Sequence, residues 1–326
     1  MEALVNQRWL DQHRVTYENS SVCVTGGAGF IGSHIVEALD ELGAHVTVID
    51  DLSNGKKENL TGRSSRVRLI EASILDAAAI EEATRGAKIV FHLAALGSVP
   101  ASLVTPDRFQ LTNATGTMVV LNAARAAGVG RLVYSASSSA YGDTPTLPKI
   151  ETMIPDPRSP YAVTKLAGEH LCRAWAICYG VSTISLRYFN IFGPRQRPDS
   201  QYAAVIPKFA TALRQGLSPT IFGDGGQTRD FTHVSNAVHA NLLAGASPRP
   251  LQGEMVNIGC ADQFTLLELL DQMSAILATK ISPTFEPSRK GDVRDSRAAV
   301  EAAKALIGYE PVTHFADGLR ATLMSR

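Results

Sequence analysis

Tyr161 and Lys165 stand four positions apart, a spacing that puts a phenol and an ammonium on one face of a helix. A free phenol titrates near pH ~10. A neighbouring cation stabilises the phenolate and draws that value toward neutrality. A phenol so tuned takes the proton of a sugar or alcohol hydroxyl while hydride leaves the same carbon. Upstream, Ser137, Ser138 and Ser139 end an apolar run, where a hydroxyl can hold the reacting oxygen. A Tyr-x-x-x-Lys pair alone is common in ordinary amphipathic helices. It acquires meaning from what precedes it.

What precedes it is Thr25-Gly26-Gly27-Ala28-Gly29-Phe30-Ile31-Gly32, after the apolar run Ser21-Val22-Cys23-Val24 and before the amphipathic series Ile31, Ile35, Leu39, Leu42. That order reads as strand, tight turn and helix. Gly26 and Gly29 give the sharp turn, and Gly32 lets the helix lie close to the strand. The first helical amides, with the positive end of the helix dipole behind them, suit a pyrophosphate. A second strand, Ala44 to Ile49, ends in Asp50, eighteen residues after Gly32. An acid there accepts hydrogen bonds from ribose hydroxyls and repels a 2′-phosphate, favouring NAD over NADP. The nicotinamide ring of the oxidised cofactor adds the positive charge that the Tyr161 phenolate needs.

The elements that position these groups alternate from residue 21 onward. Strands are expected at 67–70, 89–95, 131–136 and 181–186, with helices at 77–84, 106–127 and 160–179. Ser159 is a natural N-cap, Pro160 fits the first helical turn, and Gly180 stops the helix. Continuous apolar strands between helices mean an α/β protein with a doubly wound parallel sheet. After Arg187 the rhythm breaks into Pro-, Gly-, Gln- and Arg-rich segments around a helix at 203–215. Residues 230–234, a helix from Asn236 and strand 254–258 read as a return to the sheet. A helix at 266–277, a short strand near Thr284 and two closing helices follow. The organisation is an extension at 1–20, a Rossmann domain at 21–187 with return segments at about 231–260, and a smaller discontinuous domain at 188–230 and 261–326. The smaller domain caps the carboxyl ends of the strands, where open α/β sheets bind ligands.

Among 326 residues, 31 basic and 31 acidic side chains cancel. No basic field exists to attract nucleic acid or an anionic membrane. No apolar run approaches the ~20 residues of a membrane span. Glu2, Arg8, Asp11, Arg14 and Glu18 break up the first twenty residues, which do not read as a secretory signal. Leu4, Trp9, Leu10 and Val15 instead suggest a short helix packed on the body. Cys23, Cys172, Cys178 and Cys260 lie in apolar patterns without a Cys-x-x-Cys pair, so buried thiols in a reducing, cytoplasmic setting are expected. The eight histidines form no His-x-x-x-His pair, and no metal site is expected.

Together these residues resemble the extended short-chain dehydrogenases/reductases, specifically the nucleotide-sugar 4-epimerases. The resemblance runs from about Ser21 to the C-terminus. It rests on residues 25–32, His92-Leu93-Ala94-Ala95, Ser137 with Tyr161 and Lys165, and Arg187-Tyr188-Phe189-Asn190-Ile191-Phe192-Gly193-Pro194. It extends to Gly223-Asp224-Gly225 and Arg229-Asp230-Phe231. It implies resident NAD that takes hydride from C4 of a UDP-hexose while Tyr161 takes the hydroxyl proton. The 4-keto sugar turns over and hydride returns to its other face. By position, Asp50, Asp51, Asn54 and Gly55 would hold the adenosine half, with Ser73 and Ile74 near the adenine. Ser73 stands where the family usually has aspartate. Leu93, Ala94 and Ala95 would line the cofactor, and Asn113 and Tyr188 would touch its ribose and nicotinamide region. Asn190 would contact the substrate, and Arg229 with Arg289 or Arg294 would clamp its diphosphate. The family also implies a homodimer through the helices near 106–127 and 160–179.

Related dehydratases and decarboxylases carry an acid where this chain has Ser138 and Ser139. A hydroxyl is a poor general acid or base at pH 7, so simple epimerisation is expected. The presence of Ser137, Tyr161 and Lys165 together argues against a non-catalytic NAD-binding regulator. Gly97 and Ser98 replace a lysine of the glucose-only members, and Ser296 replaces a tyrosine, so both differences create space. Space at these positions resembles the subgroup acting on UDP-N-acetylglucosamine. Arg195-Gln196-Arg197-Pro198-Asp199 resembles instead the uronate epimerases, with Arg197 placed to pair a sugar carboxylate and Gln196 beside it. That pattern tips the expectation toward a UDP-uronate, with the UDP-N-acetylhexosamine as the alternative.

Overall fold

The computed structural model describes residues 7–197, 204–288 and 293–325. Two short helices open it, α1 (Gln7–Asp11) and α2 (Arg14–Tyr17). The Rossmann half follows as β1 (Ser21–Thr25), α3 (Phe30–Glu41), β2 (His45–Asp50), β3 (Val67–Glu71), α4 (Ala77–Thr84) and β4 (Ile89–His92). Next come α5 (Val99–Val104), α6 (Pro106–Phe109), α7 (Gly116–Ala126), β5 (Arg131–Ser137), α8 (Pro160–Tyr179) and β6 (Thr183–Tyr188). The remainder comprises β7 (Ile191–Phe192), α9 (Val205–Arg214), β8 (Thr220–Phe222), β9 (Thr228–Arg229), β10 (Thr232–His233) and α10 (Val234–Ala246). It closes with β11 (Gln252–Ile258), β12 (Phe264–Thr265), α11 (Leu266–Leu277), β13 (Thr284–Glu286), α12 (Glu301–Ile307) and α13 (Phe315–Met324).

Seven strands form one sheet in the order β11-β6-β5-β4-β1-β2-β3, and every pair in it is parallel. β4 and β6 are buried along their whole length, as strands covered on both faces must be. One apolar cluster joins α3 and α10 to one face, and a second joins α4, α7 and α8 to the other. A third, around Phe192, Phe209, Ile221, Leu269 and Phe315, lies among the later helices. Strand order reverses between β1 and β4, so the crevice for a ligand opens above their carboxyl ends.

Caps fix the helix that carries Tyr161. The Ser159 hydroxyl accepts from the Ala162 amide at 3.2 Å, Pro160 sits in the first turn, and Gly180 closes the helix at φ +71°.

Three expectations need correction. The helix at 106–127 is interrupted by a wide π turn at Gln110–Thr115, which turns Asn113 inward. Residues 230–234 do not rejoin the large sheet: Thr232 and His233 pair with Ile191 and Phe192 in a separate two-stranded ribbon, while β11 takes the edge place beside β6. Of the four thiols, Cys23 and Cys172 are buried, Cys260 is half-buried, and Cys178 is exposed on the outer face of α8. The extension packs on the body: Tyr17 is fully buried and its hydroxyl donates to the Leu242 carbonyl at 2.8 Å. No helix among the described residues is long and apolar enough to cross a membrane.

Candidate active site

At the end of β1 the chain turns with Gly26 at φ +70°. A Cβ there would lie 2.7 Å from the Ala94 nitrogen, and one on Gly32 would lie 2.1 Å from the Gly26 carbonyl oxygen. Only hydrogen fits at either place. Gly29 precedes α3 without offering a side-chain cap, which keeps the helix start open to an anion. Above it runs a cleft of about 840 Å³ lined by Gly26, Gly29, Phe30, Ile31 and Gly32.

Asp50, Asp51, Asn54 and Gly55 line the same cleft. Asp50 is buried; its oxygens accept from the Ala28 amide at 3.0 Å and the Leu52 amide at 2.9 Å. Burial pushes its carboxyl up and those two bonds pull it back. A Cβ on Gly55 would stand 2.7 Å from an Asp50 oxygen, so the glycine leaves the carboxylate its room. A glycine-only approach, an uncapped helix start and an acid beyond it in one elongated cleft fit a dinucleotide.

Ile74, Leu93, Ala94, Ala95 and Tyr188 also line the cleft. Two expected cofactor residues do not. The Ser73 hydroxyl turns away to accept from the Leu75 amide at 3.2 Å, and Ala72 lines the cleft in its place. Asn113 is buried and spent internally. It accepts from the Leu96 amide at 2.8 Å and donates to the Leu96 carbonyl at 3.1 Å and the Thr164 hydroxyl at 3.0 Å. It fastens the loop after β4 to α8, so Leu96 reaches the cleft and Asn113 does not.

Ser137, Tyr161 and Lys165 meet in the middle of the cleft. Ser137 and Tyr161 line the cleft together, and the Ser139 hydroxyl donates to Ser137 Oγ at 2.9 Å. Lys165 is buried with its ammonium 4.7 Å above the Tyr134 ring. The Tyr134 hydroxyl donates to the Lys165 carbonyl at 3.3 Å and occupies space that any side chain on Gly168 would fill. Burial draws the Lys165 ammonium down to about 8 against the opposing pull of Glu169. Burial pushes the Tyr161 phenol up, with the Ser137 hydroxyl pulling the other way.

At the far end stand Gly97, Ser98, Ser138, Ser139, Asn190, Gln196, Arg197, Arg229 and Ser296. Beyond Gly97 a Cβ would meet nothing within 4 Å. Ser98 caps α5 through the Ala101 amide at 3.2 Å. Asn190, at φ +37°, donates to the Ser296 hydroxyl at 3.1 Å and the Asp230 carbonyl at 3.2 Å. Gln196 donates to the Ile191 carbonyl at 3.1 Å, and Arg197 reaches the Asn54 carbonyl on the cofactor side at 3.4 Å. Arg294 is exposed, pairs with Asp224 at 3.1 Å and lies outside the cleft lining. Arg289, Pro198 and Asp199 lie outside the described residues. Arg195 lines the cleft too, as do Lys149 and Arg158, to which no motif of the sequence points. Each lies in a loop where no periodicity says which way a side chain points.

The model of the NAD dependent epimerase/dehydratase family matches residues 22–259. This chain belongs to that family. NAD is its cofactor, and it is an isomerase of the UDP-sugar 4-epimerase type. It is 36% identical to a UDP-glucose 4-epimerase of Mycolicibacterium smegmatis, over 92% of this chain and 96% of the relative. Among solved structures it is similar to a UDP-N-acetylglucosamine 4-epimerase from Methanobrevibacter ruminantium M1 in complex with UDP-N-acetylmuramic acid. That likeness has a TM-score of 0.90 and 37% identity, and covers 94% of this chain and 97% of the other. A UDP-glucuronic acid 4-epimerase from Bacillus cereus, in complex with UDP-glucuronic acid and NAD, has a TM-score of 0.87 and 31% identity. It covers 93% of this chain and 98% of the other.

Proposed function

We propose that the substrate is a UDP-N-acetylhexosamine inverted at C4. The observation that carries this is the open, hydroxyl-lined sugar end: empty space beyond Gly97 and hydroxyls at Ser98, Ser138, Ser139 and Ser296. An N-acetyl group needs volume and hydrogen-bond partners but no counter-charge. The guanidinium expected to pair a carboxylate, Arg197, is directed to the Asn54 carbonyl across the cleft.

NAD, held by the 26–32 turn and Asp50, supplies when bound a reversible hydride acceptor and a positive charge over the site. The phenol oxygen of Tyr161 takes the C4 hydroxyl proton and later returns it to the same oxygen. Ser137, beside that phenol in the cleft lining, holds the reacting oxygen in line. Lys165 keeps a cation behind the pair. Asn190, Arg229 and Ser296 anchor the nucleotide-sugar while its ring turns. Neither Ser138 nor Ser139 offers an acid to drive loss of water or of carbon dioxide.

A uronate remains the second reading, because Arg197 lines the same cleft. Homodimerisation is supported by apolar side chains exposed on two helical stretches, Leu111 and Met118 on one, Val163 and Ile177 on α8.

Purified protein incubated separately with UDP-N-acetylglucosamine, UDP-glucuronate and UDP-glucose, with sugar products separated, tests the reading. The 4-epimer should form fastest from the first. A faster reaction of UDP-glucuronate would replace it with the second reading.

A further inference from the structure

Directly behind the sugar-nucleotide wall lies a carboxylate that touches no ligand. Asp230 is fully inaccessible and absent from the cleft lining. One oxygen accepts from the Cys260 amide at 2.9 Å; the other accepts from Ala261 at 3.1 Å and from Ala298 at 3.0 Å. The Thr232 hydroxyl approaches at 3.5 Å. A Cβ on Gly259 would come within 2.8 Å of the carboxylate, so the strand end is bare where the acid enters. Three segments, 228–232, 259–261 and 296–298, are thereby drawn onto one side chain.

The wall residues hang from this hub. Arg229 precedes Asp230 in the chain. Ser296 lies two residues before the bonded Ala298, and its amide donates to the Thr228 carbonyl at 3.2 Å. Asn190 is held by the Asp230 carbonyl on one side and the Ser296 hydroxyl on the other. We propose that Asp230 is the positioning residue of the substrate wall, fixing Arg229, Asn190 and Ser296 relative to one another through its three backbone bonds. This rests on the UDP-sugar reading of that wall.

Ionisation of this buried acid works against stability. All its bonds come from neutral donors, and the ionisable groups acting on it are Asp262, Cys260 and Tyr309, none of them a cation. Burial lifts its carboxyl to about 6. A folded-state value above the unfolded one means that the proton is held more tightly in the folded protein. The contribution to stability is therefore full below the unfolded value and is lost as pH rises through about 6. The ionised form at neutral pH is the costly one. It is also the form with the most acceptor capacity for the three amides.

The test is steady-state kinetics of Asp230→Asn on the UDP-sugar that the wild type turns over. KM should rise about tenfold with kcat within about threefold, the pattern of lost binding rather than lost chemistry. Wild-type KM should also rise as pH falls through about 6, where the carboxyl takes its proton, since a diphosphate diester does not titrate in that range. An unchanged KM in a folded variant, with only a lowered Tm, would overturn the proposal. Where the variant does not fold, the wild-type profile decides: a flat KM overturns, a rising one supports. Wild-type protein that binds and converts no UDP-sugar would overturn the UDP-sugar reading and this proposal with it, an outcome distinct from a flat profile.

Discussion

Arg187 and Glu169 form a two-point ion pair out of reach of solvent. Nε stands 2.9 Å from one carboxylate oxygen and Nη2 2.7 Å from the other, with the two side chains 0% and 5% exposed. The guanidinium also lies 4.6 Å from the Tyr141 ring centre, and Lys165 sits one helical turn before Glu169. Removing one member of a buried pair strands the other charge, at about 3–5 kcal/mol. Glu169→Leu should lose that much in urea denaturation. Glu169→Leu with Arg187→Met should recover part of it, because the guanidinium is no longer stranded while the buried Lys165 ammonium still lacks Glu169. A single variant as mild as the double would show that the pair is not desolvated as described.

Tyr161→Phe keeps the ring and its edge-on contact with Phe109 at 6.4 Å but removes the proton carrier. Epimerisation should fall by about 10²–10⁴-fold, the usual worth of a positioned acid–base group. Bound NAD should survive purification unchanged, because the turn at Gly26 does not involve the phenol. Appreciable residual turnover would move the base elsewhere.

How much of this was legible in the sequence differs by element. The Rossmann half was readable because its signals are local. Gly26 and Gly32 are dictated by backbone collisions, and Ser159, Pro160 and Gly180 by the ends of one helix. Asn113 was misplaced because a π turn shifts which face a residue presents, and no spacing rule announces one. Ser73 failed similarly: a hydroxyl after a strand serves its own turn as readily as a ligand. The sugar end was least legible. Arg294 and Arg197 sit in loops where partners such as Asp224 and the Asn54 carbonyl, distant in sequence, decide the direction of a long side chain.

Arg195 connects the substrate loop to the cofactor helix. It donates to Glu37 at 2.6 Å and to the Ser33 hydroxyl at 3.2 Å, and the neighbouring Pro194 carbonyl lies 3.0 Å from His34 Nε2. Glu37 is held low by Arg195 and Arg63, against its burial. Arg195→Ala should free the loop and weaken NAD retention by roughly three- to tenfold, the range of a partly exposed charged bond. NAD remaining after gel filtration measures it. Full retention would show that the loop does not hold the cofactor in place.

Arg197→Ala distinguishes the two substrates. If the guanidinium serves the Asn54 loop, KM for UDP-N-acetylglucosamine and UDP-glucuronate should change by the same modest factor. A much larger rise for UDP-glucuronate alone would return Arg197 to the sugar carboxylate, worth about 1.5–3 kcal/mol for a charged hydrogen bond.

His13, His34, His233 and His239 are all pulled down to about 4 by burial, and His92 to about 3. His92 is wedged between the Thr25 hydroxyl at 2.7 Å and the Thr117 hydroxyl at 2.9 Å. His13 and His239 face one another at 5.7 Å where the N-terminal helices dock. Each imidazole binds its proton more weakly folded than unfolded, so the unfolded chain takes up protons first as pH falls below about 6.5. Stability is therefore full above that value and is lost between about 6.5 and 4, by up to about 1.4 kcal/mol per histidine for each pH unit. The upward shifts at Asp230, Asp50 and Glu41 act in the opposite direction but are fewer than the five histidines. Tm should fall steadily across this window, and His239→Phe should make the fall shallower by removing one of the titrating groups. A Tm constant from pH 7 to pH 4.5 would mean that these imidazoles are already solvated in the folded protein.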